Sequence, residues 1–219
     1  MTLWKPVVGA VLQAWLLPGC CVCAQLGESL DFNQQCSDCR QAWPSLAGQQ
    51  PPLNMKSRTA LWLYSGSVRR LLVQSKDMPR SAQAWALLSL IQAGLPALDL
   101  PSQAIWTTPP PSRKRRWSDW YLPHFLATRI CKQAGYRYRS LLNRQHETRD
   151  QADLDGAARR SNLQHAFAPK WSWRHESVPK KVILFDDVST TGATLSEAAR
   201  ALHLHGVEEV HGLSVAVVP

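Results

Sequence analysis

One segment constrains the fold more than any other: KVILFDDVSTTGATLSEAARAL, residues Lys181–Leu202. The run Val182–Phe185 is continuously apolar, as a strand buried on both faces of a parallel sheet must be. Asp186 and Asp187 follow, with the strand expected to end at Asp186, and ligands of open α/β sheets bind at that edge. Two adjacent carboxylates can accept hydrogen bonds from the two hydroxyls of a ribose. Then come Ser189, Thr190, Thr191, Gly192, Ala193 and Thr194. Small residues let backbone N–H groups approach an anion, and the hydroxyls add donors. The helix expected over Ala193–His205 contributes its positive N-terminal end. The segment therefore predicts a diol site and a phosphate site side by side, fit for a ribose 5-phosphate group.

The rest of the chain supplies further elements of the same kind. Strands are expected at Thr59–Tyr64, Ile105–Thr107, Tyr138–Leu142, Val182–Asp186 and Val210–Val218. Helices are expected at Ser65–Ser75, Ala82–Ala93 and about Asp119–Gln133, besides the one at Ala193–His205. Val68, Leu71 and Leu72 fall on one face of the first helix, and Gly94 closes the second. Strands alternating with helices argue for an α/β fold with a parallel sheet of about five strands and flanking helices. Ala47–Asn54 (AGQQPPLN) reads as a linker, since Pro, Gly and Gln build little core. This gives residues 1–45 as a small N-terminal module, 46–58 as a linker and 59–219 as the main domain. A chain of 219 residues is long enough for such a core to stand without staples.

Cys20, Cys23, Cys36 and Cys39 form a C-x2-C-x12-C-x2-C pattern. Each C-x-x-C is a knuckle whose two thiolates reach one ion, and two knuckles complete a tetrahedral site suited to structural Zn2+. Cys21 offers an alternative register, and Cys131 stands apart. Thiolate ligands imply a reducing compartment, hence a cytoplasmic chain. The stretch ahead of Cys20 has one early Lys5 and an apolar run, Val7–Leu17, interrupted by Gln13. It reads as an amphipathic helix over residues 1–19, not a secretory leader. No other stretch is long enough to span a bilayer.

Lys and Arg total 25 against 16 Asp and Glu, for a net charge of +9. That favours a polyanionic partner, either a phosphorylated small molecule or nucleic acid. The basic run Arg113, Lys114, Arg115, Arg116, followed by Trp117 and Trp120, admits two readings. The arginines and indoles could hold single-stranded DNA by charge and stacking. Alternatively the run is a solvated loop with its tryptophans turned into the core. Asn143–Lys170 is polar and charged, and reads as a flap able to close over a ligand. His146, His165, His203, His205 and His211 have no metal spacing and read as surface or packing residues.

The Lys181–Leu202 segment closely resembles the phosphoribosyl diphosphate (PRPP) motif of type I phosphoribosyltransferases. Other stretches narrow the likeness. Leu61-Trp62-Leu63-Tyr64-Ser65-Gly66, with Val68, Leu71 and Lys76, is similar to the "Y-x-G … K" segment of the ComF family. Arg144, Gln151, Leu154, Arg160, Asn162 and Ala166-Phe167 follow that family's "Q-x-x-L … R-x-x-N … A-F" pattern, and the paired cysteines resemble its zinc module. The resemblance implies a type I phosphoribosyltransferase-like sheet and a PRPP or ribose 5-phosphate ligand with Mg2+. It implies that Asp186 and Asp187 hold the ribose and the Mg2+ shell, and that the Ser189–Thr194 loop holds the 5′-phosphate. Arg115 and Arg116 would face pyrophosphate. The implied role is in the cytoplasmic steps of DNA uptake during natural transformation, alongside other DNA-uptake proteins. Two departures stand out. The Gly-Phe pair that follows the arginines in the family is absent, which removes room for backbone to approach pyrophosphate. Thr190 stands where purine-salvage members often carry an Asp, and a hydroxyl is a poor general base near neutral pH. Transferase activity and a purely binding role both remain open at this point.

Overall fold

The computed structural model describes residues 19–20, 36–37, 47–49, 54–112, 120–145, 165–170 and 177–218. In chain order the elements are β1 (Ala47–Gln49), β2 (Ser57–Leu63), α1 (Gly66–Asp77), α2 (Ala82–Gly94), β3 (Ile105–Thr107) and α3 (Leu122–Ala134). They continue as β4 (Arg137–Tyr138), β5 (Leu142–Arg144), β6 (Phe167–Pro169), β7 (Lys181–Ser189), α4 (Ala193–His203) and β8 (Glu209–Val217). The main sheet runs β1-β2-β8-β7-β3-β4. Strands β2, β8, β7, β3 and β4 are mutually parallel, and β1 adds an antiparallel edge. This is the expected five-stranded parallel sheet with flanking helices. Among the described residues no helix is long and apolar enough to cross a membrane.

The apolar run Val182–Phe185 is fully buried, as a central strand between β8 and β3 should be. Side chains alternate across a strand, and the core divides accordingly. Ile183 and Phe185 pack with α1, α2 and α3, whereas Val182 and Leu184 pack with α4 through Leu195, Ala198 and Leu202. Helix α1 buries Val68, Leu71 and Leu72, the expected face. Helix α2 starts at Ser81, whose hydroxyl accepts from Ala84 N–H at 3.3 Å, an N-cap bond. Helix α3 begins three residues later than the sequence suggests. Pro123 fits its first turn, and Gly135 at φ 74° ends it in a left-handed turn.

Three expectations change. Ala47–Gln49, read as linker, instead pairs with Arg58–Ala60 of β2. The single strand expected over Tyr138–Leu142 is two short ones. Between them Arg139 N–H donates to Trp106 O, and Leu141 N–H turns to the Thr107 hydroxyl. Those bonds bring the chain out of the main sheet and into an antiparallel β5–β6 ribbon. The two ends of the expected flap thus form a paired stem, while residues 146–164 lie outside the described residues. The N-terminal module also lies largely outside them.

Candidate functional site

Reading outward from β3, the sheet order reverses between β3 and β7, since β3 leads through α3 to β4 at one edge and β7 leads through α4 to β8 on the other side. Such a switch point, at the carboxyl ends of the strands, is where open α/β sheets bind ligands. The Asp186–Thr194 loop occupies that position on β7. It lines a cleft of about 220 Å³ that includes Lys76 and every residue from Asp186 to Leu195. The volume falls below the roughly 300–1,000 Å³ usual for drug-sized ligands, so a compact polar ligand suits it.

Strand β7 does not stop at Asp186. It stays paired with β8 as far as Ser189↔Val217, so both acids lie within the strand. Alternation then turns them to opposite faces. Asp187 shares the side of Ile183 and Phe185, where Lys76 of α1 meets its carboxylate at 3.0 Å. Asp186 lies on the side of Leu184, in register with Ser214. Each acid also fixes backbone: Asp186 Oδ1 accepts from Asp187 N–H at 2.9 Å, and Asp187 Oδ1 accepts from Val188 N–H at 2.7 Å. Gly192 follows at φ 75°, a left-handed conformation that favours glycine, and lets the chain turn into α4. The Thr191 hydroxyl accepts from Ala193 N–H at 3.4 Å.

Lys76 belongs to a pattern noticed in the sequence, but its closeness to Asp187 is tertiary. Arg58 is a residue the sequence reading did not single out. It is buried to 8% exposure on β2, and its guanidinium donates to Thr190 O at 3.0 Å, in the turn that leads into α4. Burial alone acts on its basicity and lowers it. The Ser189 hydroxyl, 3% exposed and in the cleft lining, has no hydrogen-bond partner among the described residues. At the carboxyl end of β3, Thr108 bonds the Tyr138 hydroxyl at 3.0 Å, and that hydroxyl meets His124 Nδ1 at 2.9 Å. Burial raises the Tyr138 phenol, and partial burial together with the Lys170 charge lowers the His124 imidazole.

The basic run Arg113–Arg116 and Trp117 lie outside the described residues. Trp120 does not, and the structure decides its role. It is 8% exposed, its indole N–H donates to Ser75 O at 3.0 Å, and its ring packs on Phe125 at 4.9 Å. It is a core residue, so the expected stacking platform loses this tryptophan. Arg144 holds Pro110 O and Pro111 O, tying the β5–β6 stem to the loop that leads into the basic run. His203 and His211 serve packing as expected: His203 meets the carbonyls of Asn54 and Val207, and His211 meets Ser57.

Of the zinc candidates, Cys23 and Cys39 lie outside the described residues. Cys20 and Cys36, one from each knuckle, come together: Cys36 N–H donates to Cys20 Sγ at 3.4 Å. An N–H aimed at sulfur suits a thiolate, so these two cysteines are compatible with the expected zinc ligands. Cys131 is different. Burial pushes its thiol up to about 12, which disfavours the reactive thiolate.

No family model matches the chain. Competence protein F of Haemophilus influenzae is 27% identical over 202 residues, covering 86% of this chain and 81% of that protein. Among solved structures, the adenine phosphoribosyltransferase of Leishmania tarentolae overlays with a TM-score of 0.38 and 14% identity, over 77% of this chain and 94% of that one. The allosteric regulatory enzyme of purine biosynthesis overlays with a TM-score of 0.39 and 18% identity over 60% of this chain, which spans only 25% of that enzyme.

Proposed function

We propose that this chain, a distant homologue of competence protein F, is a ComF-like protein of phosphoribosyltransferase type that binds PRPP or ribose 5-phosphate at the Asp186–Thr194 loop. One observation carries the reading. A loop of small and hydroxyl residues, preceded by two acids, lines a compact cleft at the switch point of a parallel sheet. The 5′-phosphate would sit against the Ser189–Thr194 backbone and hydroxyls, and Asp186 would take a ribose hydroxyl. Among the described residues the cleft lining has carboxylates and hydroxyls but no thiol or imidazole, a donor set that suits Mg2+ arriving with a diphosphate. Asp186 is the acid to reach that shell, because Asp187 is already paired with Lys76.

The proposal is for binding. Displacement of pyrophosphate from ribose C1 also needs cations facing the leaving group, and the candidates Arg115 and Arg116 are not among the described residues. The biological role that the ComF resemblance implies is a cytoplasmic step in the uptake of DNA during natural transformation. The net charge of +9 supports an anionic partner there. Zinc at Cys20, Cys23, Cys36 and Cys39 would staple the N-terminal module. Metal analysis of purified protein is expected to give about one zinc per chain, since four thiolates complete one site. A metal-free protein whose fold is indifferent to Cys20→Ser and Cys36→Ser would overturn that part.

Calorimetry with PRPP and Mg2+, ribose 5-phosphate, inorganic phosphate and single-stranded DNA on one preparation tests the function. Ribose 5-phosphate is expected to bind at micromolar to submillimolar levels. Asp186→Ala is expected to weaken it roughly tenfold, as loss of one charged hydrogen bond does, and to change inorganic phosphate binding much less. No heat from PRPP or ribose 5-phosphate at millimolar concentration would sink the proposal. Tight DNA binding without sugar-phosphate binding would replace it with a nucleic-acid role.

A further inference from the structure

We propose that Arg58 is the buried counter-charge of the ligand's phosphate, a positioning residue that makes the loop select a dianion. The inference rests on the ligand reading above and on one electrostatic imbalance. Buried cations are ordinarily paired with a carboxylate, because an isolated charge in a protein interior is costly. Arg58 is 8% exposed, and no carboxylate among the described residues pairs with it. Its side chain donates to the carbonyl of Thr190, and among the described residues its buried Nε meets no acceptor.

The location gives the imbalance meaning. Thr190 lies in the loop whose residues line the cleft, and the unpartnered Ser189 hydroxyl lies next to it. By holding the Thr190 carbonyl, Arg58 keeps that acceptor turned away from an incoming anion. Its charge, weakly screened in a buried position, adds attraction that grows with the charge on the phosphate. A phosphate monoester carries its second charge above a pKa of about 6. Preference for the dianion then appears as affinity that rises through that pH.

Two substitutions separate this role from a structural one. Arg58→Met keeps much of the side-chain volume and removes the charge. In the ligand-free protein it is expected to leave the melting temperature unchanged or raise it, because an uncompensated buried charge is gone. Ribose 5-phosphate affinity at pH 8 is expected to fall roughly 10–100-fold, and the rise in affinity between pH 5 and pH 8 to flatten. Arg58→Lys is expected to restore the pH dependence in part. A ligand-free Arg58→Met protein that melts clearly lower, and binds with wild-type affinity and pH dependence, would make Arg58 a structural residue and end the inference. Failure of the wild-type protein to bind ribose 5-phosphate would instead strike the ligand reading, while the melting comparison still reports whether the Arg58 charge is uncompensated.

Discussion

Replacing Gly192 with valine is expected to abolish ribose 5-phosphate binding, with affinity falling by at least about 100-fold, while the sheet stays folded. Gly192 stands at φ 75°, ψ 7°, immediately before α4. A β-branched side chain is a genuine outlier there, and such strain costs about 1–3 kcal/mol. It also brings three carbon atoms to the place where backbone N–H groups should meet an anion, and the first N–H groups of a helix have no internal partners. Gly192→Asn divides the two causes, since asparagine tolerates the left-handed region far better. Its stability is expected to recover toward wild type and its affinity to remain low. Denaturant titration and calorimetry on the three proteins check this. Wild-type affinity in Gly192→Val would mean that no ligand approaches this turn.

Trp106→Ala is expected to be the most damaging substitution in the core, costing about 3–5 kcal/mol. Trp106 is fully buried on β3, with its ring centroid 5.4 Å from Tyr136 and 5.7 Å from Phe185. Strand β3 has only three residues, yet it joins β4 to β7. A cavity there loosens the strand that flanks the switch point. Trp106→Phe should cost much less, because it keeps a ring and removes an indole N–H that is buried without a partner. Urea midpoints measure both. A loss below about 1 kcal/mol for Trp106→Ala would show that the site collapses around the void.

The strand–loop–helix at Val182–His203 was legible because each signal was local: an apolar run, acids, a glycine, then helical periodicity. Even there the strand's end was misplaced, since pairing with β8 out to Val217 carries β7 through polar residues to Ser189. Lys76 and Asp187 are 111 positions apart in the numbering, and no local pattern brings an ammonium to a carboxylate over that separation. Arg58 was harder still. It adjoins Thr59, where the strand was expected to begin, and so it was assigned to a linker. Only the pairing of β2 with β1 and β8 extends that strand to Ser57 and buries the guanidinium. Trp120 carried equal signals for a stacking surface and for the core. Its bond to Ser75 O, a contact with α1, decided it.

The order β2-β8-β7 has a consequence for how the chain is made. Ser57 of β2 pairs with His211 of β8, 154 positions later, and Leu63 pairs with Val217. During synthesis β2 therefore emerges long before its parallel partner exists. Contacts so distant form slowly, and an unpaired strand edge recruits other nascent chains. The short antiparallel β1 is available at once, from residues just ahead of β2, and occupies one of its edges through Ala47↔Ala60 and Gln49↔Arg58. The other edge stays open until β8 leaves the ribosome. On the way to the native state, then, this sheet is vulnerable along the β2 seam, where a chaperone or a rapidly delivered β8 would matter most.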